Sequence, residues 1–111
     1  MSLSEQHCTA CRGGEAPLTA EEAKQHLPEI PGWELSADAT KIRREFTFKN
    51  WKQAFAFTAQ VSELAETQKH HPDLELGWGY CHVTLQTHAI GGLHANDFIM
   101  AAHINRLLST P

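Results

Sequence analysis

Cysteine is scarce in this chain, and the three present (Cys8, Cys11 and Cys81) are an odd number without framework spacing. That excludes a disulfide-stapled secreted scaffold and suits a reducing compartment. Long apolar runs are missing too. No stretch approaches the roughly eighteen residues of a membrane span, and "MSLSEQHCTACRGG" has no signal-like hydrophobic segment, so a soluble cytoplasmic protein is expected. Positive charge is in deficit, with 9 Lys plus Arg against 13 Asp plus Glu and a formal charge of −4. Electrostatic capture of nucleic acid or an anionic membrane is therefore not expected. Internal repeats and linkers are also absent. What remains is enough apolar content, 41%, for one small core in a single domain.

What the chain does have is histidine, eight in all. Imidazole is the one side chain whose ordinary pKa lies near neutrality, so the placement of these residues matters. Residues 1–16 are polar, glycine-containing and aperiodic, and read as a flexible N-terminal segment ahead of a domain over 17–111. Thr19 with Glu22 makes a capping-box pattern for a first helix that Leu27 closes before Pro28. "PEIPGWEL" then leads through Trp33 into a short strand. "TKIRREFTFKN" alternates, with Ile42, Arg44, Phe46 and Phe48 on one face and Arg43, Glu45 and Thr47 on the other.

Asn50 is placed to cap a long helix over roughly 51–68. There Trp51, Ala54, Phe55, Thr58, Val61 and Ala65, with Leu64 beside them, form a stripe that should face a sheet. Pro72 disfavours helix in the residue before it and ends the run. "LELGWGY" reads as a strand end and a turn, and "YCHVTLQTH" as a strand. Cys81, Val83 and Leu85 should point inward, and Tyr80, His82, Thr84, Gln86 and His88 outward. A last helix over about 95–108 offers Phe98, Ile99, Ala102 and Leu107 for packing. The order α-β-β-α-β-β-α predicts an α+β two-layer sandwich: a four-stranded antiparallel sheet with helices on one face.

Three histidines, His70, His71 and His88, lie at the end of the long helix and the end of the last strand, with Glu66 just upstream. His70 and His71 are adjacent in a chain that Pro72 extends, so they point apart and are poorly placed to chelate one ion. Nothing in the spacing favours zinc at His70 and His88. The single Cys-x-x-Cys of "HCTAC" has no second cysteine pair, and reads as an inert feature of the N-terminal segment. Acid–base chemistry asks only that imidazoles converge from different elements beside groups that orient a substrate. Spacing alone leaves that reading and three solvated histidines equally open. His26, His82, His94 and His103 are expected as solvated surface residues. Trp51 is expected in the core, Trp78 at a surface or interface, and Trp33 either in the core or as the wall of a pocket for a flat ring.

The combination of "E-x(3)-H-H-P", the aromatic of "GWGY", "V-T-L-x-T-H", "G-G-L" and a downstream Asp resembles the signature of the pterin-4a-carbinolamine dehydratases, also called 4a-hydroxytetrahydrobiopterin dehydratases. The resemblance runs from "IPGW" to the last helix. "CTACR" and "HHPDLELGWGY" look like the bacterial branch, in which the enzyme serves phenylalanine hydroxylase. The resemblance implies an α+β subunit that assembles into dimers or tetramers, with no cofactor and no metal because the pterin itself is substrate. It also implies loss of water from 4a-hydroxytetrahydropterin to give quinonoid dihydropterin. It places the catalytic histidines at His70, His71 and His88. Substrate-binding positions fall at Glu66, Lys69, Gln86, Thr87, Ala89, Trp33 and Asp97. Lys69 stands where animal members carry Asp, and Gln86 where they carry Ser, so contacts there should come from backbone. His94 occupies the usual Ser/Thr cap position before Asp97, which implies a more weakly capped last helix.

The chemistry suits these residues, since expelling hydroxide needs an acid and removing the N5 proton needs a base. His70 and His88 are expected to move the protons. His71 should hold the ring, and Glu66 should fix an imidazole tautomer. Two alternatives use the same chain differently. One is a protein-interaction module like the animal members that assist dimerisation of a transcription factor, for which Ile99, Met100 and Leu107 would form the patch. The other is a pterin binder without turnover.

Overall fold

The computed structural model describes residues 3–9 and 15–109. Its elements follow the order expected: α1 Ala20–His26, β1 Glu34–Leu35, β2 Ile42–Thr47, α2 Trp51–Gln68, β3 Asp73–Gly77, β4 Tyr80–Leu85 and α3 Ala95–Ser109. The four strands form one antiparallel sheet in the order β1-β2-β4-β3. β4 is therefore central, with Val83 opposite Arg44 on one side and Leu74 on the other. The α+β two-layer sandwich is the fold.

Sheet parity decides which face is covered. Ile42, Phe46, Cys81, Val83 and Leu85 are buried and meet Phe57, Val61, Phe98 and Ile104 from the helices. The opposite face is polar. There Arg43 donates to Glu75 at 2.6 Å, to Glu45 at 3.0 Å and to His82 Nδ1 at 3.1 Å. This network holds the Arg43 guanidinium above, and the Glu45 carboxyl below, their ordinary pKa ranges through those hydrogen bonds. Arg44, on the inner parity, bends out over the Phe46 ring, 4.5 Å from its centroid, and donates to Asn105 and the Pro31 carbonyl.

Helix boundaries follow local chemistry. Thr19 Oγ1 accepts from the Glu22 N–H while Glu22 accepts from the Thr19 N–H, a closed capping box that draws the Glu22 carboxyl below its usual range. Asn50 Oδ1 accepts from the Gln53 N–H to start α2. Lys69 ends it in the left-handed region at φ 56°, a conformation uncommon outside glycine.

The buried stripe of α2 differs from the one expected. It runs Ala54, Phe57, Val61, Ala65 and Gln68, whereas Trp51 and Phe55 are 46% and 55% exposed. Trp51 and Phe55 sit one turn apart and satisfy the same spacing rule as the true stripe, so helical period alone does not choose between two apolar faces. The patch expected on α3 also dissolves, because Ile99 and Met100 are core residues.

Residues 3–9, set apart from the domain on sequence grounds, pack onto it. Leu3 is buried, Ser4 O accepts from Arg106, and Gln6 O accepts from His103 Nε2. Cys11 lies outside the described residues. The histidines expected to be solvated are partnered instead: His26 packs on Phe98, His82 accepts from Arg43, His103 donates to Gln6, and His94 caps α3.

Candidate active site

The site is built where α2 ends, β4 ends and α3 begins. The left-handed turn at Lys69 lets the His70 N–H return to the Ala65 carbonyl at 3.1 Å and swings the His70 ring toward α3. There Nε2 meets Asp97 Oδ1 at 2.6 Å. A carboxylate only accepts, so the ring proton sits on Nε2 and Nδ1 is left as the atom able to take or give a proton.

Asp97 is completely buried, and its other oxygen is also committed. Oδ2 accepts from the Thr87 hydroxyl at 2.8 Å and from the His94 N–H at 3.0 Å. Every donor around this carboxylate is matched, as a buried charge requires. Asp97 and Thr87, both named from the sequence as substrate-binding positions, are buried, Asp97 against His70 and Thr87 against Asp97.

The start of α3 explains how so exact an acceptor is held. His94 Nδ1 accepts from the Asn96 N–H at 3.0 Å, while Asp97 accepts from the His94 N–H. The two bonds are reciprocal as in a capping box, but the imidazole accepts from the N2 rather than the N3 N–H. The cap expected to be weak is thus made by a histidine. His94 Nε2 faces Glu15 at 3.2 Å, which fixes its proton on that nitrogen.

His71 and Glu66 form a second imidazole–carboxylate pair through Nε2 and Oε2, both side chains largely exposed. Glu66 thus orients His71, one residue away from the imidazole that Asp97 holds. His88 follows Thr87 directly, opens the short turn His88–Ile90, and is 70% exposed, with Nε2 3.9 Å from Asp73 Oδ2. The loop carrying it is closed by Thr87 and Gly92, which exchange backbone hydrogen bonds. Gly92 admits no larger residue easily, since a Cβ there would lie 2.7 Å from Pro17.

The three histidines are therefore linked in a ring of neighbours. His70 contacts Asp97, Asp97 contacts Thr87, Thr87 precedes His88, and His88 lies over Asp73, two residues past His71. The His70 side chain is 11% exposed, whereas those of His71 and His88 are open to solvent. Gln86 is half-buried and Ala89 exposed beside it, and Lys69 is exposed at the helix end.

Trp33 stands elsewhere. It is buried against Phe46 and donates its indole N–H to Asn105 at 2.8 Å. Asn105 is eight residues past Asp97, about 12 Å along α3. Among the described residues no group of three or more His, Cys, Asp or Glu side chains is arranged to hold a metal ion. Sequence patterns give no sign that the buried side chains of Gln68 and Asn96, near His70 and Asp97 along the chain, bind the backbone of Cys8 and Thr9.

Comparison with known proteins shows the family to which the chain is similar. Residues 16–107 match the family described as pterin 4 alpha carbinolamine dehydratase. A Methylococcus capsulatus protein named "Putative pterin-4-alpha-carbinolamine dehydratase" is 54% identical over 106 residues, covering 96% of this chain and 93% of its own. An Aromatoleum aromaticum protein of the same name is 51% identical, covering 97% and 96%. Among solved structures, a transcriptional coactivator/pterin dehydratase from Brucella melitensis superposes with a TM-score of 0.77 at 34% identity, covering 82% of this chain and 97% of that one. A pterin dehydratase-like RuBisCO assembly factor of the alpha-carboxysome, 21% identical with a TM-score of 0.61, shares the fold.

Proposed function

Because the chain belongs to the pterin-4-alpha-carbinolamine dehydratase family of hydro-lyases, we propose that it removes water from 4a-hydroxytetrahydropterin by histidine acid–base catalysis. The observation that carries this reading is the pair of imidazoles with opposed surroundings, His70 held by a buried carboxylate and His88 open to solvent. Two imidazoles so placed can divide the two proton transfers that the reaction needs.

The C4a–O bond breaks as the hydroxyl receives a proton and departs as water. The N5 lone pair closes the C4a=N5 double bond, and the N5 proton passes to a base. No electron is gained or lost overall, so the step asks for no redox cofactor. His70, through Nδ1, and His88 exchange protons with the 4a-hydroxyl and N5. His71, oriented by Glu66, lies against the ring. Gln86 and Ala89, at the strand end, offer backbone donors and acceptors for the amide-like edge of the pterin.

The product would re-enter the cycle of an aromatic amino acid hydroxylase, phenylalanine hydroxylase being the expected one. Trp51 and Phe55, exposed one turn apart on α2, supply an apolar face for the homo-oligomer. The described residues contain no helix long and apolar enough to cross a membrane.

The reading is tested by His70→Ala and His88→Ala, assayed on freshly generated 4a-hydroxytetrahydropterin. Each should lower kcat by ~10²–10⁴ while leaving some turnover. Full activity in either variant would remove that residue from the mechanism.

A further inference from the structure

Two buried amides flank the His70–Asp97 pair. Gln68, 8% exposed, is the last residue of α2, two before His70. Asn96, 2% exposed, immediately precedes Asp97. Both are spent on the same short piece of chain. Gln68 Oε1 accepts from the Cys8 N–H at 2.8 Å, and its Nε2 donates to His7 Nδ1 at 3.0 Å. Asn96 Oδ1 accepts from the Thr9 N–H at 2.9 Å, and its Nδ2 donates to the Thr9 carbonyl at 2.6 Å. All four polar atoms of the two amides are thereby used.

From these anchors the segment runs back along α3. His103 donates to Gln6 O, Arg106 donates to Ser4 O, and Leu3 enters the core. It thus bridges the end of α2 and the start of α3, the two elements whose separation sets the 2.6 Å contact between His70 and Asp97. If residues 3–9 served stability alone, anchorage anywhere on the surface of α3 would do. Their strongest polar anchors instead sit one and two residues from the reacting pair.

We infer that residues 3–9 form a strap that positions the His70–Asp97 pair, with Gln68 and Asn96 as its positioning residues. This rests on the dehydratase reading only for its kinetic consequence, since the geometry of the pair can be read without turnover. The strap touches no substrate. It holds the carboxylate and the imidazole in register, and a misplacement of about 1 Å in such an arrangement can cost on the order of 10²-fold in rate.

The test uses the full chain. Thr9 is exposed, so Thr9→Pro removes the N–H that Asn96 accepts without entering the core, and Thr9→Ala keeps that N–H. Gln68→Met removes the second anchor while filling its space. Two readouts apply: kcat with KM on 4a-hydroxytetrahydropterin, and the far-downfield imidazole N–H proton resonance of the His70–Asp97 hydrogen bond, assigned by its loss in His70→Ala.

Thr9→Pro and Gln68→Met should each lower kcat by about tenfold with KM changed less than about twofold, as expected when only a transition-state contact is disturbed. Both should shift or broaden the downfield resonance, while circular dichroism and Thr9→Ala stay like wild type. A folded Thr9→Pro or Gln68→Met with wild-type kcat and an unmoved resonance overturns the strap. If the wild type shows no turnover, the dehydratase reading fails, and the resonance alone still decides the positioning.

Discussion

Replacing Asp97 with Asn tests the arrangement at its centre. The carboxylate accepts from three donors: His70 Nε2, the Thr87 hydroxyl and the His94 N–H. An Asn side chain of the same shape can satisfy Thr87 and His94 with its single oxygen. Its NH₂ then faces His70, where it meets an N–H rather than an acceptor. The imidazole escapes the clash by moving its proton to Nδ1, which is the atom required free for proton transfer. A comparable carboxylate-to-amide change in a histidine-containing triad costs about 10⁴ in kcat through the wrong tautomer. With His88 still in place, a loss of about 10²–10⁴ is expected here. Losing a charged, buried acceptor should also cost about 1–3 kcal/mol of stability. For a domain of this size that is a Tm loss of about 5–15 °C. Turnover of freshly generated 4a-hydroxytetrahydropterin, measured well below that Tm, reads the kinetic effect apart from unfolding. Activity within about threefold of wild type would show that Asp97 does not set the His70 tautomer, and the argument above would fail.

Phe57→Ala should destabilise the protein by ~3–5 kcal/mol because Phe57 is 4% exposed, while Phe55→Ala should fall within about 0.5 kcal/mol of wild type in the isolated subunit; urea unfolding separates the two. The Cys8 thiol is pushed up to about 11 by burial and, secondarily, by the nearby Asp97 charge, so its alkylation at pH 8 should be much slower than that of an unfolded-chain thiol. The sign follows for stability as well: the native state resists forming the thiolate, so the Cys8 contribution is intact below about 9 and is lost as pH rises toward 11, a loss that Cys8→Ser should abolish in pH-dependent melting. Asp38 behaves oppositely. Hydrogen bonds from Thr40 and Ser36 draw its carboxyl down to about 2, so their hold on the Ser36–Lys41 turn persists above about 4 and fades as pH falls through 2, visible as amide chemical-shift changes confined to that turn.

Strand and helix order were legible because each element carries its own periodic signal. The alternation of Cys81, Val83 and Leu85 against Tyr80, His82 and Thr84 needs no tertiary knowledge, and neither do the caps at Thr19 and Asn50. The face of α2 was not legible. Phe55 and Phe57 both lie on plausible stripes, and only the tertiary packing of Phe57 against Phe46 and Phe48 selects it. The histidines of the site were visible as a cluster with Glu66 beside them. The role of Asp97 was not, because an aspartate near a helix start reads the same whether it faces solvent or a histidine 27 residues away. His94 deceived for a related reason. Imidazole is rare as a cap, and its use here depends on Glu15 reaching the far ring nitrogen across the fold. The anchoring of residues 7–9 by Gln68 and Asn96 is likewise a long-range pairing of side-chain amides with backbone, which leaves no periodic trace.

The central claim is that paired histidines dehydrate a 4a-hydroxypterin with no metal. It is tested most directly by following quinonoid dihydropterin formation from freshly generated 4a-hydroxytetrahydropterin, with purified protein pre-incubated with a strong chelator. The account predicts acceleration over the spontaneous reaction that is equal with and without chelator. No acceleration, or acceleration that disappears on chelation and returns with added zinc, would contradict it.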